Sequence, residues 1–404
     1  MIKVNKPKIR FNEFENTWIK SKLGELYEVY SGNTPSRSDS RNYQNGEIPW
    51  IKTTDLNNSI IYANEEKISV YGATKLKVLP EKSVLIAMYG GFNQIGRTGL
   101  LAYPATINQA LAALMPVNEI NPNFLLNFLN FKKESWRNVA ASSRKDPNIT
   151  KNDVEKLIIS FPSLDEQSAI GSLFRTLDDL LASYKDNLAN YQSLKATMLS
   201  KMFPKDGQTV PEIRLEGFER KWEKKKLIDL VSPVSRKVKK PSDPYYRLSI
   251  RSHAKGTFKQ FVDDPKKIAM DNLFEVKEND LVVNITFAWE HAIAVASKED
   301  DGLLVSHRFP TFVIDKSDKN FINIYIKREE FRQKMDLLSP GGAGRNRVLN
   351  VKDFINIQMV VPELKEQQAI GAYFSILDNL INSHQEKISQ LETLKKKLLQ
   401  DMFI

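Results

Sequence analysis

Residues 161–203 read FPSLDEQSAIGSLFRTLDDLLASYKDNLANYQSLKATMLSKMF, and residues 361–403 read VPELKEQQAIGAYFSILDNLINSHQEKISQLETLKKKLLQDMF. At an offset of 200, without gaps, 17 of the 43 positions are identical. In each copy, apolar or bulky side chains recur in steps of three and four. The first series includes Ile170, Phe174, Leu177, Leu181, Leu188 and Leu194, and the second Ile370, Phe374, Leu377, Ile381, Ile388 and Leu394. That period predicts two long helices with a coiled-coil seam, and the same series forms the candidate seam and docking residues. Pro162 and Pro362 stand just upstream, and no proline interrupts either run. At ~1.5 Å per residue, 165–203 would span about 58 Å.

Local signals refine this. Ser163 with Glu166 has the spacing of a capping box, which the second copy lacks. Gly171 and Gly371 recur inside the helices, where glycine costs ~1 kcal/mol relative to alanine. Close approach of another helix is the expected reason for them. Two copies of one seam favour pairing of the two helices with each other. The alternative is that each packs independently on its own module.

A second echo opens each half. Pro7-Lys-Ile-Arg-Phe-Asn-Glu-Phe-Glu-Asn-Thr-Trp18 is matched by Pro211-Glu-Ile-Arg-Leu-Glu-Gly-Phe-Glu-Arg-Lys-Trp222, and 10 of the 20 positions from Pro7 to Leu26 agree. Between the echoes the halves share little in register. Glu81-Lys-Ser-Val-Leu-Ile resembles Glu278-Asn-Asp-Leu-Val-Val, and Gly99-Leu-Leu resembles Gly302-Leu-Leu. The expected plan is a variable module at 1–160, a repeat helix at 161–205, a second module at 206–360 and a second helix at 361–404. Short β-like runs at Ile48–Ile51, Val84–Tyr89, Leu281–Ile285 and Phe309–Ile314 alternate with Gly-, Asn- and Ser-rich turns. Helices are expected at 123–140 and 320–337. The fold class is α/β (α+β), built as a tandem duplication.

Composition limits the chemistry. The 404 residues carry 59 Lys+Arg against 49 Asp+Glu, a net charge of +10, divided as +5 in 1–204 and +5 in 205–404. That excess favours a polyanionic partner. There is no cysteine, so disulfides, thiol nucleophiles and cysteine-based metal sites are excluded. The four histidines, His253, His291, His307 and His384, lack metal-ligand spacing. No metal site is expected. The opening Met1-Ile-Lys-Val-Asn-Lys-Pro has no apolar signal core, and no apolar run nears the roughly 20 residues of a membrane span. A soluble, intracellular protein is expected.

Enzymatic motifs are weak. Gly91-Phe-Asn-Gln-Ile-Gly96-Arg97-Thr98 has the glycine spacing of a phosphate loop, yet arginine replaces the lysine and Gly99 and Pro104 follow at once. Asp243-Pro-Tyr-Tyr246 is similar to the Asp-Pro-Pro-Tyr of adenine methyltransferases but lacks the second proline, and reads as a turn entering a strand. No Pro-Asp dipeptide supports a nuclease centre.

Basic and amide-bearing loops carry more. Arg144 and Lys145 precede the end of module one, and Arg345, Asn346 and Arg347 precede the end of module two. Such side chains suit phosphate oxygens and base edges. Further candidate DNA contacts are Arg37, Lys52, Thr53, Asn93, Gln94, Arg97, Asn108 and Gln109 in the first half. In the second half they are Arg236, Lys237, Arg251, His253, Trp289, His291, His307 and Arg308.

With these features the chain resembles the specificity subunits of type I restriction–modification systems. The resemblance covers the whole chain. It is carried by Ile48-Pro-Trp-Ile-Lys-Thr-Thr-Asp-Leu56, Leu85-Ile-Ala-Met-Tyr-Gly90 with Ile95-Gly-Arg-Thr-Gly99, and Pro104-Ala-Thr-Ile-Asn-Gln-Ala110. Val305-Ser-His-Arg-Phe-Pro310 and Val360-Val-Pro-Glu-Leu-Lys-Glu-Gln-Gln-Ala-Ile370 carry it in the second half. The resemblance implies two target-recognition domains held apart by antiparallel repeat helices, each reading half of a split, asymmetric site in double-stranded DNA. It implies two modification subunits that bring S-adenosylmethionine and adenine methylation, and restriction subunits that bring ATP, Mg and cleavage. The chain itself would be non-catalytic, would bind no cofactor and would act in a bacterial or archaeal cytoplasm. A self-contained adenine methyltransferase and a coiled-coil scaffold without nucleic acid are the alternatives.

Overall fold

The structure, a computed structural model, describes residues 6–140, 148–339 and 347–404. The chain forms two compact units, one of residues 1–187 with 384–404 and the other of residues 188–383. The divisions therefore fall inside the repeat helices, Leu164–Lys201 and Leu364–Met402, rather than at their ends.

The first unit is built on a five-stranded sheet in the order Tyr30–Ser31, Leu111–Leu114, Val84–Ala87, Thr98–Leu101, Ser59–Ile61. Val84–Ala87 is buried on both faces, and its alternation divides two cores. Val84 and Ile86 join Phe124, Phe128 and the start of the first repeat helix, whereas Leu85 and Ala87 join Ile51, Ile107 and Leu111. The second unit repeats the scheme. Its four-stranded sheet runs Ser232–Val234, Thr311–Val313, Asp280–Val283, Ile293–Val295, with Leu281 and Val283 on the helix side and Val282 on the other. A separate five-stranded sheet covers that other side.

The faint central echo, Glu81–Ile86 with Glu278–Val283, marks the central strand of each sheet. The Gly99/Gly302 echo does not survive. Gly99 lies in the strand paired with Val84–Ala87, while Gly302 lies at a left-handed turn before Leu304–Val305 in the other sheet. The expected helix at 123–140 appears as Pro122–Lys132 followed by two short turns. That at 320–337 is broken into Lys319–Tyr325 and Glu329–Leu337. Asp243-Pro244 precedes the strand Tyr245–Ile250.

The echoed residues fasten each unit. Arg10 donates two hydrogen bonds of 2.7 Å to Glu166, and Arg214 donates bonds of 2.7 and 2.6 Å to Glu366. Both glutamates are only 1% exposed. Glu166 thus serves a buried ion pair, not the capping box read from its spacing with Ser163. The next residue fastens the module helix. Gln167 accepts from Asn121 N at 2.8 Å and Gln367 from Asp318 N at 3.1 Å, and Asn121 and Asp318 cap the helices at Pro122 and Lys319. One turn on, a β-carbon at Gly171 would lie 2.9 Å from Asn123 Cβ, and one at Gly371 2.9 Å from Asn320 Cβ. The glycines therefore admit the N-terminus of a module helix, not the other repeat helix.

Each unit also contains the tail of one repeat helix beside the start of the other. Phe403 lies 5.3 Å from Phe124 and 5.9 Å from Phe174, and Phe203 lies 5.7 Å from Phe321 and 6.4 Å from Phe374. In the first unit Asp178 pairs with Lys395 and Lys185 with Glu392, so the segments run antiparallel. In the second, Lys195 pairs with Asp378, the repeat-related version of Asp178–Lys395. The starts of the helices also enter their own module cores through Ile170, Phe174 and Leu177, or Ile370, Phe374 and Leu377. Packing on the module and pairing between helices thus occur together.

Burial corrects the seam. Leu181 is buried, Leu188, Ile381 and Ile388 are half-buried, but Leu194 and Leu394 are 38% and 44% exposed. The less exposed positions include the series 174, 177, 181, 184, 188, 191, 195, 198 and 202, which alternates steps of three and four. Lys195 and Lys395 hold the place expected for the neighbouring leucines. Their stems fill the seam while their ammonium groups reach Asp378 and Asp178.

Candidate nucleic-acid interface

In each unit the central strand turns back through a hairpin tip, 88–97 in the first and 284–292 in the second. Neighbouring loops are tied to these tips through the backbone. In the first unit Met88 donates to the Ala110 carbonyl at 2.8 Å and accepts from Ile149 N at 3.0 Å. Asn108 N donates to the Ile51 carbonyl at 3.0 Å, which brings Lys52 alongside. Lys52, Asn93, Gln94, Arg97, Asn108 and Gln109 therefore belong to one loop cluster.

Side-chain partners separate them. Asn93 and Gln109 are exposed. Arg97 Nε donates to the Asn93 carbonyl at 3.1 Å, which leaves the rest of the guanidinium for a ligand. Among the described residues Gln94 Oε1 is buried without a partner, and Asn108 Oδ1 accepts from Ala110 N at 3.1 Å. Lys52 Nζ stands 2.6 Å from Glu66, which also pairs with Arg37. Burial pushes the Glu66 carboxyl up, but its bonds to Lys52 and Arg37 outweigh this and lower its pKa. Arg37 lies over the Tyr43 ring, 4.2 Å from its centroid, with its side chain well exposed. Thr53 opens a half-buried turn.

The second unit gathers a corresponding cluster. Ile285 N donates to the Arg308 carbonyl at 3.1 Å, Leu349 N to Ile285 at 2.9 Å, His253 N to Glu290 at 2.8 Å and Ala254 N to His291 at 2.8 Å. The Arg347 guanidinium lies 5.6 Å from the Trp289 ring and 3.4 Å from Asp336. Arg251, His253, Trp289, Arg308 and Arg347 are thereby brought around one tip. Arg251 lies 5.1 Å over Phe258, and His253 is exposed at a left-handed turn. His307 and Lys237 are exposed, with His307 Nδ1 3.3 Å from Met270 Sδ.

Two expected contacts serve the fold instead. Arg236 donates bonds of 2.5 and 3.2 Å to Asp280, which is 2% exposed, and so anchors the central strand. His291 is buried, and its Nε2–H donates to the Ile326 carbonyl at 2.6 Å. Burial holds its pKa below the ordinary histidine value. Arg144, Lys145, Arg345 and Asn346 lie outside the described residues.

The sequence reading also missed surface aromatics. Tyr89, Phe92 and Phe287 stand exposed on the two tips, and Tyr246 and Phe261 on a hairpin of the second unit. At the first tip, aromatics on both sides of a Gly-Gly pair just past a wholly apolar strand, Tyr89-Gly-Gly-Phe92, were the available signal. Among the described residues, no group of three or more His, Asp or Glu could hold a metal ion. No helix among them is long and apolar enough to cross a membrane.

Fold and loops define a duplicated recognition protein, one skeleton used twice with different cationic, amide- and ring-bearing loops. The family model for the type I restriction modification DNA specificity domain matches residues 15–190 and again 219–393. The chain belongs to this family, as a specificity subunit with two DNA-recognition domains. It is 21% identical to the type I restriction enzyme MjaVIII specificity subunit of Methanocaldococcus jannaschii, over 95% of this chain and 91% of that one. It is 26% identical to the EcoR124I/EcoR124II specificity subunit of Escherichia coli, over 45% of each. The crystal structure of the type I restriction–modification S subunit from M. genitalium superposes with a TM-score of 0.62, covering 99% of both chains at 15% identity. At that identity the likeness is one of fold.

Proposed function

We propose that each unit reads one half of a split, asymmetric DNA site, and that the repeat helices set the spacing and dock two modification subunits. One observation carries this reading. The two units share their fastening residues, while the loops around their tips differ in sequence. A repeated reader with different loops reads different half-sites, whereas a dimer of identical readers would require a palindrome. Half-sites read from one face of B-DNA lie roughly 34 Å apart, within the reach of helices of this length.

The chemistry belongs to the partners in this reading. The modification subunits supply S-adenosylmethionine and methylate adenine, and restriction subunits, where present, supply ATP- and Mg-dependent cleavage. This chain, acting in the cytoplasm, contributes recognition and no cofactor. Mapping methylated adenines genome-wide, in cells with and without the chain, tests the proposal. The expected result is a bipartite, non-palindromic motif that vanishes with the chain. A palindromic motif, or one that persists, would contradict it.

A further inference from the structure

In both units the hairpin after the central strand leaves aromatic rings in water. Tyr89 and Phe92 are 41% and 45% exposed, and Phe287 is 46% exposed. These rings stand on held backbone. Gly90 and Gly91 take left-handed conformations of φ +112° and +73°, and Arg97 N closes the turn onto the Gln94 carbonyl at 3.0 Å. In the second unit Phe287 N donates to Asn284 at 3.2 Å, Ala292 N donates to the Phe287 carbonyl at 3.3 Å, and His291 adopts φ +61°. Arginines belong to the same loop clusters: Arg97 closes the first tip, and at the second Arg308 bonds Ile285 through its carbonyl and Arg347 lies 5.6 Å from the Trp289 ring.

A fixed, exposed ring on a loop cluster that also carries arginines fits a ligand that offers negative charge and π-faces together. Duplex DNA offers both, as phosphates beside stacked bases. A hydrocarbon ring cannot read a hydrogen-bond pattern, but it can enter between base pairs and unstack them. The cost of that opening depends on the step, and pyrimidine–purine steps open most readily. Building on the half-site reading above, we propose that Phe92, with Tyr89, and Phe287 are wedge residues. Each tip inserts its ring at one base step of its own half-site and selects that step by its deformability.

The test uses the chain assembled with its modification subunits, on DNA carrying both mapped half-sites. Phe287→Ala is expected to weaken binding to intact duplex about ten-fold, in keeping with the loss of one base-stacking contact. A single unpaired base pair in the second half-site should restore that variant to within about twofold of wild type, because the step is already open. The same lesion in the first half-site should rescue Phe92→Ala and leave Phe287→Ala weak. Phe287→Leu, which keeps an apolar wedge, should retain most of the affinity, and unchanged melting temperatures separate binding from folding. If the alanine variants lose equal affinity for intact and pre-opened DNA, the wedge is overturned while half-site reading stands. If the wild-type complex protects neither half-site, the half-site reading itself fails.

Discussion

The two units hold their long helices with the same residues and build their recognition loops from different ones. Arg10–Glu166 and Arg214–Glu366, Gln167 and Gln367, Gly171 and Gly371, and Phe403 and Phe203 perform matching tasks. The tips do not correspond in this way. One carries a Gly-Gly turn with Tyr89, Phe92 and Arg97, the other Phe287, Trp289 and an Arg347 lying over that tryptophan. A duplicated skeleton fixes where a reader stands, and divergence at its tips changes what it reads.

The largest test of that comparison removes the aromatic plugs. Phe403→Ala and Phe203→Ala should each cost about 3–5 kcal/mol through lost burial and a cavity. Hydrogen exchange resolved by residue should show each loss concentrated in the unit that holds the ring. Equal loosening of both units by either variant would break the account of two separately fastened cores.

A smaller test sharpens a difference within the matched set. Removing one partner of a buried ion pair costs about 3–5 kcal/mol, and Glu166→Ala is expected near the lower end because Arg10 keeps some solvent and its bond to Asn16. Glu366→Ala should cost ~1 kcal/mol more, since the Trp222 indole also donates to Glu366 at 3.3 Å while that of Trp18 has no partner among the described residues. Denaturant unfolding of the two variants measures the difference. An equal cost would show that the indole bond contributes nothing.

Much of this architecture was legible in the sequence, because it depends on local period and on an internal repeat. The long helices, the central strand at Val84 and its echo at Leu281 follow from patterns a few residues wide. What escaped depends on distant partners. Glu166 looked like a cap because Ser163 is near, whereas Arg10, its partner, lies 156 residues away. Steps of three and four admit Leu194 as readily as Lys195, and only the position of Asp378 decides between them. Arg236 and His291 look like surface readers until Asp280 and the Ile326 carbonyl are placed against them. Phe92 and Phe287 look like core residues because apolar residues beside a buried strand normally are.

The central claim is that each unit reads its own half-site, and exchange of one module tests it most directly. Residues 1–160 are replaced by the first module of another family member, and methylated adenines are mapped in cells carrying the hybrid. One half of the motif should change completely while the other half stays the same. A hybrid that altered both halves, or neither, would contradict the account.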